Sequence, residues 1–190
     1  MFISLTHPTK GAILIDNKQI SHIVEDAATN DVVVCMVNSQ DSFSPTETIT
    51  AIFAQQDTTG YNLNMISVSN TKTGNQEIWF THSLWKILDD PGGSLLVTRY
   101  RKDRIFASQN LATILGYQGA ATNLGLVSVT VVAVPPKTNT QFILLDHTIK
   151  EMISKDPAVP AGNTLIHMKG SHETYEVTET IAALQAAMPI

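Results

Sequence analysis

Three similar nine-residue blocks along the chain are the strongest indication of its fold: DSFSPTETI at residues 41–49, DRIFASQNL at 103–111 and ETYEVTETI at 173–181. Each block begins with an acidic residue, has a bulky apolar residue two positions later, and ends on an apolar residue. A hydroxyl residue followed by Glu or Gln stands near the end of each block. This order predicts a short strand that leads into an amphipathic helix. The capping hydroxyls are expected at Thr46, Ser108 and Thr178.

The residues before each block also recur. Residues 3–6, 66–69 and 127–130 alternate apolar and hydroxyl side chains, which predicts a half-buried strand. A turn with one lysine follows in each case, and then a second strand and a hairpin. The arm at residues 148–154 is also compatible with a helical turn. The predicted fold class is therefore α+β, mainly β, with three tandem repeats of a small module of about five short strands and a C-terminal helix.

The expected modules are residues 1–60, 61–122 and 123–190, called here the first, second and third segments. The first segment resembles the small flagellar FlbD/SwrD-type proteins in residues 2–6, in the turn at Gly11, in residues 13–16, 20–23 and 32–37, and in the closing helix start at 47–49. Those proteins are about as long as one segment. The resemblance implies a small β-rich module and brings no catalytic residues with it.

The composition limits the functional classes. Of the 190 residues, 43% are hydrophobic and 15% are charged, so a folded protein is expected. The net charge of −5 argues against a general nucleic-acid binder. A single cysteine excludes an internal disulfide, and the start of the sequence is not typical of a signal peptide. We therefore expect a protein that is cytoplasmic, or in a virus particle assembled in the cytoplasm, and that makes no membrane contact.

Catalytic and cofactor motifs are absent from the sequence. It contains no phosphate-binding glycine loop, no dinucleotide fingerprint and no metal-ligand spacing, so we expect no metal, no cofactor and no enzyme activity. His82 and His147 are at matching positions, where the first segment has Asn17, and we interpret them as structural. Cys35 lies among apolar residues and is expected to be a buried core thiol.

Two sets of residues are candidates for binding. The second segment holds the only basic cluster, and aromatic and arginine side chains are enriched at binding hot spots. The candidate partner-binding residues are therefore Arg99, Tyr100, Arg101, Lys102, Arg104, Trp79 and Trp85. At least one of the two tryptophans is expected to pack at an interface between modules or at a partner contact. The candidate anion-binding residues are the turn lysines Lys10, Lys72 and Lys137, which form a three-point ring if the segments surround a pseudo-threefold axis.

Two functions from different classes fit these features. The first is a non-enzymatic structural or assembly protein, a pseudo-trimeric adaptor in a phage-like accessory complex or virion, with a protein as partner. The second is a small-molecule or nucleotide-binding protein that sequesters its ligand in clefts between the modules. Contact with nucleic acid stays open only through the basic turn of the second segment.

Overall fold

The computed structural model of the chain is α+β and mainly β. It describes residues 2–37, 41–58, 64–99, 103–117, 124–132, 140–155 and 162–188. Each segment has the same order of elements: two strands, a one-turn 3-10 helix, three more strands and an α-helix. The residues expected to be either a helical turn or a strand, 148–154, are the last residue of a 3-10 turn followed by a strand.

The bounds of the elements follow the segments. In the first segment they are β1 (Phe2–His7), β2 (Gly11–Asp16), a 3-10 turn (Asn17–Gln19), β3 (Ile20–Glu25), β4 (Val32–Met36), β5 (Ser42–Phe43) and α1 (Ile49–Thr58). In the second they are β6 (Met65–Ser69), β7 (Gln76–Phe80), a 3-10 turn (Thr81–Ser83), β8 (Leu84–Asp90), β9 (Gly93–Thr98), β10 (Arg104–Ala107) and α2 (Leu111–Gly116). In the third they are β11 (Leu126–Val131), β12 (Thr140–Leu145), a 3-10 turn (Asp146–Thr148), β13 (Ile149–Ser154), β14 (Thr164–Met168), β15 (Thr174–Val177) and α3 (Ile181–Ala187).

The helix-start block folds as a strand followed by a helix in all three segments, but the capping residue differs from the predicted one. The side chains of Thr48, Asn110 and Thr180, each two positions after the expected hydroxyl, accept hydrogen bonds from the third residue of the helix. The predicted caps are wrong because each of those residues lies in a bend between the short strand and the helix, and the helix begins three residues later. Their backbone N–H groups instead donate to carbonyls near the end of the first strand of the segment, as from Thr46 to the carbonyl of Thr6 (3.0 Å).

The Glu or Gln that recurs in the three blocks has a separate structural role. Its side chain reaches back and accepts a hydrogen bond from the backbone N–H near the end of the first strand. The three pairs, with their distances, are Glu47 and Thr6 at 3.0 Å, Gln109 and Ser69 at 2.9 Å, and Glu179 and Thr130 at 2.9 Å. These bonds fasten the start of each helix to the first strand of its own segment.

Adjacent segments are joined by strand pairing. The third strand of one segment pairs antiparallel with the second strand of the next: β3 with β7, and β8 with β12. The first junction aligns Ile23 with Ile78, and the second aligns Ile87 with Ile143. The segments therefore share sheets of five and eight strands, while β1 and β2 form a separate pair.

The cores are shared in the same way. Ile78 and Phe80 of β7 and Met65 of β6 pack into the core of the first segment. Leu126, Ile143 and Leu145 of the third segment pack into the core of the second. The strands β7 and β12 consequently bury side chains on both faces, which alternation in the sequence does not predict.

Candidate functional site: a cleft between the second and third segments

A cavity of about 290 Å³ lies between the second and third segments. Two of its wall residues belong to the second segment and four to the third. They are Trp85, Arg99, His147, Thr148, Lys169 and Gly170. Two of these six side chains are permanent cations, and the cleft is open to solvent on one side, so its chemistry favours an anionic ligand.

Backbone hydrogen bonds fix the two cations at the cleft. The N–H of Arg99 donates to the carbonyl of Ser83 (2.8 Å), and the N–H of Lys169 donates to the carbonyl of Thr148 (2.7 Å). Both acceptors are the last residue of a 3-10 turn. Each cation therefore comes directly after the fourth strand of its segment, β9 or β14, and its backbone is bonded to the 3-10 turn of the same segment. The pairing of β8 with β12 then brings the second and third segments together.

The third 3-10 turn forms the floor of the cleft. The Nδ1 atom of His147 lies 3.6 Å from an oxygen of Asp146, and the hydrogen bond from His147 lowers the pKa of that carboxyl. Within the described part of the chain, the buried Nε2 atom of His147 has no hydrogen-bond partner. Gly125 has a positive φ of 66°, and a Cβ there would lie 2.5 Å from the Asp146 carboxylate, so only glycine fits at this position.

A polar cluster adjoins the cleft behind Trp85. The Nζ of Lys86 donates to a carboxylate oxygen of Glu173 at 3.0 Å and also to the hydroxyl of Tyr175. Trp85 Nε1 and the Tyr175 hydroxyl donate to the same Glu173 oxygen, at 3.4 and 2.6 Å. Burial alone would raise the pKa of Glu173, but the bonds from Tyr175 and Lys86 outweigh it and the net pKa is lowered. This cluster connects β8 to the third segment and holds the Trp85 wall in position.

The cleft contains one hydroxyl side chain, that of Thr148. Thr148 donates its hydroxyl to the carbonyl of Leu145 (2.6 Å), so it is not paired with a base. The hydrogen bond from His147 lowers the pKa of the Asp146 carboxyl most, and the charges of His147 and Lys169 lower it further. Among the described residues no group of three or more His, Cys, Asp or Glu side chains could hold a metal ion.

The predicted partner-binding residues are dispersed. Trp79 and Trp85 are only 4% and 7% exposed, because both are packed inside the chain beside the junctions between segments, so neither belongs to an open surface. The Trp79 ring stacks on His22 of the first segment with centroids 4.3 Å apart, and its Nε1 donates to buried Glu77 (2.7 Å). Arg99 and Arg104 are exposed. Tyr100, Arg101 and Lys102 lie outside the described residues.

The turn lysines are in different surroundings. Lys72 is exposed, and its Nζ lies 3.9 Å from the centre of the Phe106 ring. Lys10 lines a cavity of about 550 Å³ beside β2, together with His7, Ile13 and Ile15. Lys137 lies outside the described residues. Neither described lysine belongs to the cleft between the second and third segments.

The other titratable candidates have structural contacts. His82 and His147 occupy the middle of their 3-10 turns, so the matching residue of the first segment is Lys18 and not Asn17. The ring of His82 lies 3.0 Å from the carbonyl of Ile20, and burial lowers its pKa. Cys35 is only half-buried, contrary to the expected core position, and burial raises the pKa of its thiol.

Lys169 and His147 were missed as site residues by sequence reasoning. A usable signal exists: Lys169 follows the fourth strand of its segment, as Arg99 does in the second. The sequence could not show that residues from two segments face one cleft, because that depends on the pairing of β8 with β12.

Comparisons with family models, with curated proteins and with solved structures find no match to this chain. The resemblance to the FlbD/SwrD-type proteins therefore stays a prediction. None of the helices in the described residues is long and apolar enough to cross a membrane.

Proposed function

We propose that the chain is a non-enzymatic assembly protein, built from three copies of one module, that acts as a rigid adaptor in a larger complex such as a virus particle. The observation that carries this proposal is the pairing of β3 with β7 and of β8 with β12 in one common register. Paired strands and shared cores join neighbouring segments directly within the described residues. A body built in this way holds binding surfaces at fixed spacing, which is what an adaptor requires.

Recurring contacts support the interpretation of three copies. The fourth strand is followed in each segment by an N–H that donates to the last residue of the 3-10 turn. These donors are Val37, Arg99 and Lys169, at 2.8, 2.8 and 2.7 Å. The bonds from the Glu or Gln of the helix-start block recur as well. Repetition of side-chain contacts that are distant in sequence is the pattern expected of duplicated modules.

The basic turn of the second segment is the proposed contact with a protein partner. Arg104 is exposed on β10, at one edge of the eight-stranded sheet, and Arg99 is exposed on the other side of the turn. The residues between them add two further cations and a tyrosine. Such a cluster suits an acidic face on the partner.

A photo-crosslinking amino acid placed at position 104 tests this assignment. The experiment is done in the natural source of the chain, where its partner is present. The expected result is a crosslink to a protein partner that the same group at exposed Ala112, on α2, does not give. Replacing Arg99 and Arg104 with Ser should weaken that association several-fold at low salt while the melting temperature is nearly unchanged. A partner that binds the double variant as well as the parent would contradict the role of the basic turn.

A second candidate function is sequestration of a small anion, and the cleft of Arg99, Lys169 and His147 favours it. The two cations would supply charge to an anionic ligand, and His147 lines the same cleft. Titration calorimetry with inorganic phosphate and with a nucleoside monophosphate is the direct test. Saturable binding that is lost in Lys169→Ser and kept in Lys150→Ser, a control on β13, would support it. Equal binding by both variants would contradict it.

A further inference from the structure

The junctions between segments use the second strand of one segment and the third strand of another. The second strand of the first segment, β2, and the third strand of the third segment, β13, have no such partner among the described residues. In the described part of the chain, β2 pairs only with β1, and β13 pairs only with β14. The large apolar side chains recorded as exposed are Phe2 on β1 at 63%, Leu14 on β2 at 69%, and Ile153 on β13 at 45%. Leu14 and Ile153 therefore lie on the two open strands, and Phe2 lies on β1, which pairs with β2. Exposed apolar residues at an open strand edge favour pairing with another strand.

We infer that the open edge of β13 in one copy of the chain pairs antiparallel with the open edge of β2 in a second copy. The contact repeats between chains the junction that joins the segments within a chain. It deepens the assembly function proposed above, and it rests on the equivalence of the segments given there.

The register of this contact follows from the two internal junctions. These align the third strand of one segment with the second strand of the next at three equivalent positions: His22 with Trp79, Ile23 with Ile78 and Val24 with Glu77, then Lys86 with Leu144, Ile87 with Ile143 and Leu88 with Phe142. Counting from the 3-10 turns, Glu151 then faces Ile15, Met152 faces Leu14, and Ile153 faces Ile13.

The residues equivalent to Leu14 and Phe2 in the other two segments are buried. Leu14 corresponds to Ile78 and Ile143, which are both fully buried by their junctions. Phe2 corresponds to Met65 and Leu126, which are 0% and 1% exposed. The pairing would therefore bury the two most exposed large apolar side chains against the core of the third segment, in the way that the first and second cores are already completed.

The sequence of β2 fits a strand that is covered on both faces. Ile13, Leu14 and Ile15 form a continuous apolar run, as do residues 78–80 of β7 and residues 142–145 of β12. Runs of this kind are typical of strands that are buried on both sides. In β7 and β12 the run is explained by the shared junction, whereas in β2 it has no such explanation within one chain.

Charges on the other face are complementary. Glu151 takes the position of His22, whose ring stacks on Trp79, and it therefore lies over Ile15. Ile15 lines the cavity of about 550 Å³ that also contains His7, Lys10 and the carboxylate of Asp41. The Glu151 carboxylate can pair with Lys10 there. A polar side chain at this position does not prevent the pairing, because His22 and Lys86 occupy it in the internal junctions.

One position departs from the internal pattern. Asp16 stands where Phe80 and Leu145 are fully buried, and its carboxylate accepts a hydrogen bond from the N–H of Lys18 (3.1 Å). A carboxylate at this position opposes burial, so the contact between chains is weaker than the internal junctions. It is also bimolecular, whereas the internal junctions benefit from a high effective concentration. Association should therefore depend on protein concentration.

The contact is heterologous, because one edge of each copy meets the other edge of the next. Such contacts close into rings when the rotation between copies allows it, and otherwise they extend into filaments. Blocking either edge should therefore stop assembly, and two chains blocked at opposite edges should still form one pair.

Analytical ultracentrifugation of the purified chain over a wide concentration range is the first test, with Leu14→Lys, Ile153→Lys and the control Ala112→Lys. The parent and the control should associate, and the two edge variants should raise the apparent dissociation constant about a hundredfold, because each places a charge in the contact. Asp16→Leu should strengthen association, and its 3-10 turn should persist because the other two turns form without a side-chain cap. A monomeric parent at every concentration, or edge variants that assemble like the parent, would overturn the inference.

Mixing the two edge variants distinguishes the heterologous contact from a symmetric contact, and from a loss of assembly that is caused by misfolding of the variants. Leu14→Lys retains an intact β13, and Ile153→Lys retains an intact β2, so the mixture should form a 1:1 pair that grows no further. Failure of the mixture to pair while the parent assembles would overturn the heterologous contact.

A disulfide trap tests the register. In a Cys35→Ser background, Leu14→Cys and Met152→Cys on separate chains should crosslink on mild oxidation, and Leu14→Cys with Ile153→Cys should do so far less. With Leu14→Cys and Met152→Cys in one chain, a crosslinked monomer would mean that β13 closes onto β2 of its own chain, which overturns the inference.

The outcome is independent of the partner proposed above. These measurements use the purified chain alone, and Arg99→Ser with Arg104→Ser should leave self-association unchanged. Loss of the partner contact with intact self-association would remove only that part of the adaptor proposal.

Discussion

The strands β7 and β2 hold the same position in their segments, yet residues 77–80 of β7 are buried while Leu14 of β2 is 69% exposed. The difference in burial depends on whether a second strand pairs with the outer edge. The outer edge of β7 is paired with β3, and its apolar side chains fill the core of the first segment. A segment of this protein is therefore incomplete by itself, because its core needs the second strand of the next segment.

The largest effect should come from matched truncations at this pair of strands. Ile78→Ala removes a fully buried side chain from the first core, and we expect it to lower the free energy of unfolding by about 2–5 kcal/mol. Leu14→Ala, at the equivalent position, should cost less than about 0.5 kcal/mol in the dilute chain. Urea unfolding followed by circular dichroism measures both. Similar losses for the two variants would mean that β2 is buried in the dilute chain.

The second junction provides the next test, through its polar cluster. Lys86 has a side chain that is only 15% exposed, and Glu173→Gln leaves its ammonium without a counter-charge. We expect a loss of about 1–2 kcal/mol, less than for a fully buried pair because Glu173 is 40% exposed. The control is Lys155→Met, in the more exposed pair with Glu176, which should cost under about 1 kcal/mol. Equal costs for both variants would indicate that the cluster does not strengthen the junction.

Acidification should weaken the first junction. Burial lowers the pKa of both His22 and His82 below the usual value of 6.5, and both touch the neighbouring segment. The unfolded chain therefore binds protons at a higher pH than the folded chain, so this contribution to stability is complete above about pH 6.5 and falls as the pH drops below it. Urea unfolding at pH 7.5 and 5.5 measures the difference. It should shrink in the double variant His22→Phe and His82→Gln, and an unchanged difference would exclude these histidines as its source.

The sequence predicted the parts of the fold that depend on short-range pattern. The helix faces were predicted to carry an apolar pair three residues apart in each segment. Five of these six residues are buried, namely Ile49, Ile52, Leu111, Ile114 and Leu184, and Ile181 is half-buried. Strand alternation also placed the front strands correctly. Pairing between segments was not predicted, because a period-two pattern shows that a strand has two faces but not which neighbour covers the second one. The continuous apolar run at residues 78–80 was the available signal.

The candidate site was predicted only in part, for the same reason. Arg99 was selected from its basic cluster, and the structure places it at the cleft. For the two tryptophans the prediction was a module interface or a partner contact, and Trp85 packs against the core of the third segment while forming a wall of that cleft. Lys169 stands alone in its sequence, so only the pairing of β8 with β12 brings it near Arg99.

The smallest effect on stability is expected at Arg104, whose strand β10 can be compared with the open edge of β2. β10 is also an edge strand, but it is only four residues long, and Arg104 on it is exposed. Short, charged edges resist pairing with other chains, whereas β2 is longer and apolar. Arg104→Ser should change the free energy of unfolding by less than about 0.5 kcal/mol, measured by urea unfolding. If Arg104 only protects the edge, the variant should self-associate more than the parent in ultracentrifugation and keep its partner. If Arg104 contacts a partner, self-association should stay the same and the crosslink to that partner should be lost.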